Sequence, residues 1–438
     1  MTIAKYTENY DSGLAWLGAV PKHWSLKRLG HFFSERREKV SDKEFQPLSV
    51  TKHGIVPRLE TAAKTQDGDN RKRVIAGDFV INSRSDRKGS SGLSELDGSV
   101  SLICIVLEPD GVYGRFAHHL LRSEVFQEEF YRNGKGIVAD LWSTGFSEMK
   151  NIVIPVPSQH EQTQIARFLD HETAKIDALI REQERLIELL QEKRQAVISH
   201  AVTKGLDPNV PMKDSGVEWL GEVPAHWDVT RIGWKCAVGN GCTPSRDRAE
   251  YWQEGQHPWL NSSVVNQQRV KKSDQFVTDQ ALKECALPRV RKGSVLIAIT
   301  GEGKTRGMTT ITEIDATINQ HIAFIDPRDT ELRAVFLHDW LVANYHQLRF
   351  ESNGYGSTKA AITCGDIRAY PLPLPPLIEQ RNISDFLENA SSQFDELTVS
   401  AKKSIALLTE RRSALISAAV TGKIDVRNWQ PPVDASAF

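Results

Sequence analysis

One short segment of this 438-residue sequence crowds cationic and hydrogen-bonding side chains directly behind an apolar run. Residues 82–92 read NSRSDRKGSSG and supply guanidinium, ammonium and hydroxyl groups on what should be a turn after a strand. Such groups suit a polyanion with patterned edges: Arg matches the acceptor pair of guanine and Asn or Gln matches adenine, while Lys, Ser and backbone N–H groups hold phosphates. Arg84, Arg87 and Lys88 are the candidates for base or phosphate contact, with Ser90 and Ser91 in support. A second segment, SVLIAITGEGKT at 294–305, ends in Gly-Lys-Thr like a phosphate-binding loop. That loop requires glycine where Ala298 stands, and the following RGMTTIT is β-branched and offers no helix N-terminus to a phosphate, so nucleotide binding is rejected. No Asn-Pro-Pro-aromatic or Asp-Pro-Pro-aromatic motif for base methylation and no nuclease carboxylate cluster is present, so no catalytic residue is assigned. Cys104, Cys236, Cys242, Cys285 and Cys364 are scattered without a CxxC pair, which favours buried thiols over a disulfide framework or a zinc site, and no metal ligand is assigned.

Composition sets the scale on which these segments are held. The chain is long enough for two or three domains, and 40% hydrophobic residues suffice for a core in each. No apolar run approaches the roughly 18 to 20 residues that span a bilayer, and the opening MTIAKYTENYDSG lacks a signal peptide's apolar stretch, so a cytoplasmic protein is expected. A net charge of −1 argues on its face against a nucleic-acid partner. The charge is segregated, however: residues 260–310 carry nine basic against four acidic residues, and 58–92 carry eight against five, whereas the acidic side chains gather at 159–194. Local basic faces on a near-neutral chain are compatible with such a partner.

The elements that must position these segments occur twice. DSGLAWLGAVPKHWSLKRLG at 11–30 returns as DSGVEWLGEVPAHWDVTRIG at 214–233, with 12 of 20 positions identical. PVPSQHEQTQIARFLD (155–170) is answered by PLPPLIEQRNISDFLE (373–388), and LLQEKRQAVISHAVTKGLD (189–207) by LLTERRSALISAAVTGKID (407–425). Between the repeated frames, residues 31–150 and 234–368 diverge, yet both alternate short β-rich runs with amphipathic helical ones. The β-rich runs include VIAGDFVIN at 74–82, VSLICIVLE at 100–108, SVLIAIT at 294–300 and HIAFI at 321–325. The helical runs include 116–130 and 333–350. Each divergent stretch reads as a mixed α/β domain, and divergence inside a duplicated frame implies two modules doing one job on different targets.

From about 160 to 203 the sequence has no Gly or Pro and predicts one long helix ending at Lys204-Gly205. Heptad spacing places Leu169, Thr173, Ile176, Ile180, Gln183, Ile187, Leu190, Arg194, Val197 and Ala201 on one seam. Shifted by 218 residues, Leu387, Ser391, Phe394, Thr398, Ala401, Ile405, Leu408, Arg412, Leu415 and Ala419 form another. Two matched seams in one chain can pair antiparallel, which would make the helices a rod of about 60 Å with a module at each end.

Here the residues reach a family. The doubled D-S-G-x-x-W-L-G-x-V-P-x-H-W, the doubled P-x-P-x-x-x-E-Q-x-x-I-x-x-F-L and the A-V-T-x-G-like helix end together resemble the specificity subunits of Type I restriction-modification systems over residues 11–425. The second of these motifs comprises Pro155, Pro157, Glu161, Gln162, Ile165, Phe168 and Leu169, then Pro373, Pro375, Glu379, Gln380, Ile383, Phe386 and Leu387. The resemblance implies an α/β (mixed α+β) fold of two target-recognition domains joined by two long antiparallel conserved helices with pseudo-two-fold symmetry. The expected divisions are residues 1–155, 156–206, 207–372 and 373–425, with a tail at 426–438. It implies a non-catalytic subunit that reads a bipartite, gapped sequence in double-stranded DNA. Its implied partners are two methyltransferase subunits and restriction/translocase subunits, with S-adenosylmethionine, ATP and Mg2+ belonging to them. In the second module WLNSSVVNQQR (259–269) and TGEGKTRG (300–307) resemble loops that the family presents to DNA. Ser262, Ser263, Asn266, Thr300, Gly301, Lys304 and Arg306 are the candidates there. The second copy departs slightly, ending T-G-K-I-D where the first has T-K-G-L-D, which bears on helix termination.

Overall fold

The computed structural model describes residues 4–59, 68–136, 142–301, 303–328, 330–352 and 361–431. The chain divides into two compact units, Met1–Glu184 with Lys402–Phe438, and Arg185–Ala401. Both are mixed α/β, and both are built on the plan that the sequence repeats.

In the first unit a four-stranded sheet is ordered Ser91–Leu93, Phe79–Asn82, Cys104–Pro109, Phe33–Glu35, every neighbouring pair antiparallel. Phe79, Ile81, Ile105 and Leu107 point to one face of it and are buried against Phe116, Leu120, Phe126 and Phe130 of the helices Gly114–Arg122 and Glu124–Arg132. Burial of each such side chain contributes about 1.5–3 kcal/mol. The helical run expected as one piece breaks at Ser123, whose hydroxyl caps the second helix by accepting from Phe126 N–H. In the second unit the sheet is ordered Cys236–Asn240, Ile322–Pro327, Val295–Ala298, Thr309–Thr312, Arg269–Val270. Val295, Ile297 and Ile325 pack on Phe336, Leu337, Trp340 and Leu341 of the helix Ala334–Ala343.

The repeated motifs explain themselves as frame. In the first unit Trp24 Nε1–H donates to Glu161 at 3.0 Å, His23 Nε2 lies 3.0 Å from the same carboxylate, and Tyr6 donates to it at 2.5 Å. In the second, Trp227 donates to Glu379 at 2.9 Å and His226 lies at 2.8 Å. The adjacent glutamines clamp the start of the packed helices: Gln162 accepts from Tyr113 N–H at 2.8 Å and donates to Pro157 C=O at 3.0 Å. Gln380 accepts from Arg333 N–H at 2.9 Å and donates to Pro375 C=O at 2.8 Å. The Val-Pro-x-His-Trp and Glu-Gln motifs therefore tie the Trp hairpin and the module to the long helix.

Those helices run Gln159–Lys204 and Leu377–Val420, 46 and 44 residues. They start at equivalent positions, and each ends just before a left-handed glycine, Gly205 (φ 76°) and Gly422 (φ 73°), the second standing one place earlier in the repeat. None of the twenty seam positions is exposed. Within the first unit Arg412 Nε donates to Asp177 at 2.8 Å, and within the second Arg194 Nη1 donates to Asp395 at 2.7 Å. Each unit thus holds one such ion pair between its own two helix segments. The seam polar groups satisfy themselves, Thr173 on Leu169 C=O and Thr398 on Phe394 C=O.

Candidate nucleic-acid interface

In each unit the candidate side chains gather at one end of the main sheet, and strand register puts them there. In the first unit the hairpin between Phe79–Asn82 and Ser91–Leu93 carries residues 83–90, with Asn82 N–H closing on Ser90 C=O at 2.9 Å. Arg84 N–H is held by Asn82 Oδ1 at 3.0 Å, and Ser85 N–H donates to Trp142 C=O at 3.1 Å, so the loop is pinned at its base. Arg87 is the most exposed cation of the loop, its side chain 67% exposed with Asp86 3.6 Å away. Lys88 pairs with Glu128 at the surface, an exchangeable contact worth about 0–1 kcal/mol. Arg84 is half-buried.

Two supporting candidates are corrected by the structure. Ser90 and Ser91 are 7% and 0% exposed. Ser91 opens the strand that pairs with Phe79–Asn82, where alternation turns its side chain into the unit, so neither hydroxyl is presented to a ligand.

In the second unit the hairpin between Val295–Ala298 and Thr309–Thr312 is the counterpart, closed by Ala298 N–H on Met308 C=O at 2.9 Å. Thr300, half-buried, and Gly301 and Lys304, both exposed, sit on it. Arg306 does not: it is 4% exposed, and burial lowers its pKa, with the neighbouring Arg349 guanidinium adding to the effect. Its carbonyl accepts from Arg349 at 2.8 Å. A side chain seated inward in this way cannot make the bidentate base contact expected of it, and Arg306 belongs to the hairpin's footing.

The 3-10 helix Ser262–Asn266 stands beside this hairpin, capped by Asn261, which accepts from Ser263 N–H at 2.9 Å. Ser263 and Asn266 are exposed and Ser262 half-buried. Asn319 N–H donates to Leu260 C=O at 3.0 Å, which brings the start of that helix against a turn at 319–321 that the sequence reading passed over. Gln320 and His321 of the turn are exposed, and Thr243 and Thr300 reach them from either side: Thr243 donates to Gln320 Oε1, and Thr300 Oγ1 lies 2.8 Å from His321 Nδ1. Gly241 permits this approach, because a Cβ there would fall 1.8 Å from Ile318 C=O. Arg246, also passed over, stacks 3.7 Å above Trp252. The two expected loops are thus brought together with Gln320, His321 and Thr243 among them.

Among the described residues no group of three or more His, Cys, Asp or Glu is placed to hold a metal ion. All five cysteines are free thiols, and burial pushes the Cys104 and Cys236 thiols up to about 12. Among the described residues no helix is long and apolar enough to cross a membrane.

Comparison with known proteins gives the class. Residues 224–406 match the family model described as Type I restriction modification DNA specificity domain. The chain is 22% identical over 433 residues to the type I restriction enzyme MjaVIII specificity subunit of Methanocaldococcus jannaschii, covering 93% of this chain and 95% of that one. It is 24% identical over 279 residues to the EcoR124I/EcoR124II specificity subunit of Escherichia coli, 62% of each chain. Among solved structures, one from work on complex assembly and conformational transition of the type I R-M system superposes with a TM-score of 0.70 at 19% identity, covering 92% of this chain and 99% of that one. The HsdS subunit from Thermoanaerobacter tengcongensis gives 0.56 at 20% identity, covering 92% and 98%. The fold is that of the solved type I specificity subunits, with the module and long-helix plan occurring twice. Over nearly its whole length the chain is similar to specificity subunits of type I restriction enzymes, and its second half matches their DNA specificity domain.

Proposed function

We propose that each unit reads one half of a bipartite, gapped sequence in double-stranded DNA and that the long helices, which run from one unit into the other, set the gap. The observation that carries this is the combination of an identical frame with unlike polar rims: the Trp-His-Glu knot and glutamine clamp are the same in both units, while the sheet ends differ residue by residue. A helix of 46 residues spans roughly 69 Å, about two turns of B-DNA at 34 to 36 Å per turn.

The subunit acts without a catalytic site of its own, in the cytoplasm, and docks two methyltransferase subunits and the restriction/translocase subunits, to which S-adenosylmethionine, ATP and Mg2+ belong. Outward-facing leucines support a pair of like partners. Leu179 and Leu407 are 52% and 55% exposed in the first unit, and Leu397 and Leu189 are 52% and 44% exposed at the equivalent places in the second. Exposed apolar groups repeated in this way mark two copies of one contact surface.

Selection from a random duplex pool, with the full chain and its cognate methyltransferase subunit, tests the reading. A bipartite motif is expected, and exchanging residues 31–150 for another such module changes one half of it only. Removing seven residues from each helix at paired positions, 180–186 with 403–409, shortens the gap by about three base pairs. A pool that yields no motif refutes the reading in favour of a scaffold, and an unchanged gap removes the helices as its ruler.

A further inference from the structure

Both units place the same turn at the same point of the sheet and fill it with opposite chemistry. In the first unit Ser101-Leu102-Ile103 leads into the strand Cys104–Pro109, closed by Cys104 N–H on Ser101 C=O at 3.0 Å, and Ser83 N–H docks on Ile103 C=O at 3.2 Å. In the second, Asn319-Gln320-His321 leads into Ile322–Pro327, closed by Ile322 N–H on Asn319 C=O at 3.4 Å, and Ile299 N–H docks on His321 C=O at 3.0 Å. These bonds make Leu102 equivalent to Gln320 and Ile103 to His321.

Leu102 and Ile103 are 39% and 42% exposed, two adjacent aliphatic side chains held at a turn next to the loop of Arg84, Arg87 and Lys88. A turn gains nothing from such residues in water, whereas an aliphatic group at this place can cover a thymine methyl in the major groove. The second unit shows what the position is built to present. Gln320 Oε1 accepts one hydrogen bond from Thr243, and Gln320 Nε2 lies 3.3 Å from His321 Nε2, while His321 Nδ1 lies 2.8 Å from Thr300 Oγ1. The carboxamide is thereby fixed with one acceptor lone pair and one N–H remaining, the complement of adenine N7 and N6–H.

We propose, building on the DNA-reading function above, that this turn determines specificity in both units: Leu102 and Ile103 select thymine through its 5-methyl group, and Gln320 selects adenine through its carboxamide. His321 is a positioning residue that holds the carboxamide in plane.

The experiment compares the selected consensus of the wild-type chain, assembled with its methyltransferase subunit, with those of Leu102→Ser/Ile103→Ser and Gln320→Ala. All three side chains are exposed, so thermal unfolding should hardly move. The double variant should lose thymine preference at one position of one half-site, and Gln320→Ala should lose adenine preference at one position of the other, each by about 5- to 150-fold. Deoxyuridine at that thymine should weaken the wild type and leave the double variant indifferent, and 7-deazaadenine should do the same for Gln320→Ala. A wild-type motif that survives both variants, with the base analogues acting alike on all proteins, overturns the assignment of the turn while leaving the function standing. Failure of the wild type to select any motif overturns the function itself.

Discussion

Replacing Glu161 with Ala should destabilise the first unit far more than Glu379→Ala destabilises the second, although the two glutamates occupy the same place in a repeated motif. The Glu161 side chain is 3% exposed, that of Glu379 34%. Truncating Glu161 strands the Trp24 indole N–H and the Tyr6 hydroxyl, both on side chains under 10% exposed. Each buried orphan costs about 1–3 kcal/mol, giving about 2–6 kcal/mol. His23 is 45% exposed at the side chain and can turn to water, so it adds little. The carboxylate's own desolvation is relieved on its removal, which keeps the figure in the lower half of that range.

Glu379 receives no phenol, since Asn209 stands where the repeat puts Tyr6, so its removal strands one donor, the indole N–H of the buried Trp227, beside a carboxylate one-third exposed whose place water can take. A loss of about 1 kcal/mol is expected there. Against a domain stability of 5–15 kcal/mol, the first change leaves its unit near the threshold and the second does not. Guanidinium unfolding gives the total, and hydrogen exchange locates it: protection should fall at 20–30 and 153–169 in one variant and barely change at 223–232 and 371–387 in the other. Equal losses, or a greater one in Glu379→Ala, would show that these donors do not hold the buried carboxylate.

Three further outcomes follow from single contacts. A double-mutant cycle on Asp177 and Arg412, about a third exposed each, should return a coupling of about 0.5–1 kcal/mol, and Asp177 with the non-partner Arg411 should return none. The His118 ring is pushed down to about 3 by burial first and by Arg122 next, and its nitrogens face two donors, Leu93 N–H and the Arg122 guanidinium, each at 3.1 Å. A depressed imidazole means that the unfolded chain binds the proton more readily. The contribution is therefore intact above about 6.5 and is lost as pH falls toward 3, by up to 1.4 kcal/mol per pH unit, and His118→Gln should flatten that slope in a thermal-melt series. Lys304→Ala should lower the salt dependence of DNA binding by about one phosphate contact, whereas Arg306→Ala should lower the melting temperature, and the reverse assignment would refute the burial argument.

The frame was legible because its constraints are local and repeated. Identical Trp, His, Glu and Gln in two copies mark side chains that close hydrogen bonds over long separations, and a heptad seam names the buried face of a helix whatever it packs on. The sheet ends were legible only in part, because a loop's composition does not say which side chains the register turns outward. Ser90, Ser91 and Arg306 have the right chemistry but are buried where each loop closes onto its sheet, Ser91 as the first residue of a strand and Ser90 and Arg306 in the turns beside one. The turn at 101–103 was hidden by its own composition. VSLICIVLE reads as one apolar strand, with no Gly or Pro to break it, and only the bonds of Cys104 to Ser101 and of Ser83 to Ile103 show that Leu102 and Ile103 stand outside the sheet. Its counterpart, Asn-Gln-His, carries the hydrogen-bonding groups that base reading needs but lacks the Arg and Lys that drew attention elsewhere. Charge marks where a chain can meet phosphates, whereas discrimination between bases rests on neutral amides and methyl-sized contacts, and those become visible only once the backbone has placed them.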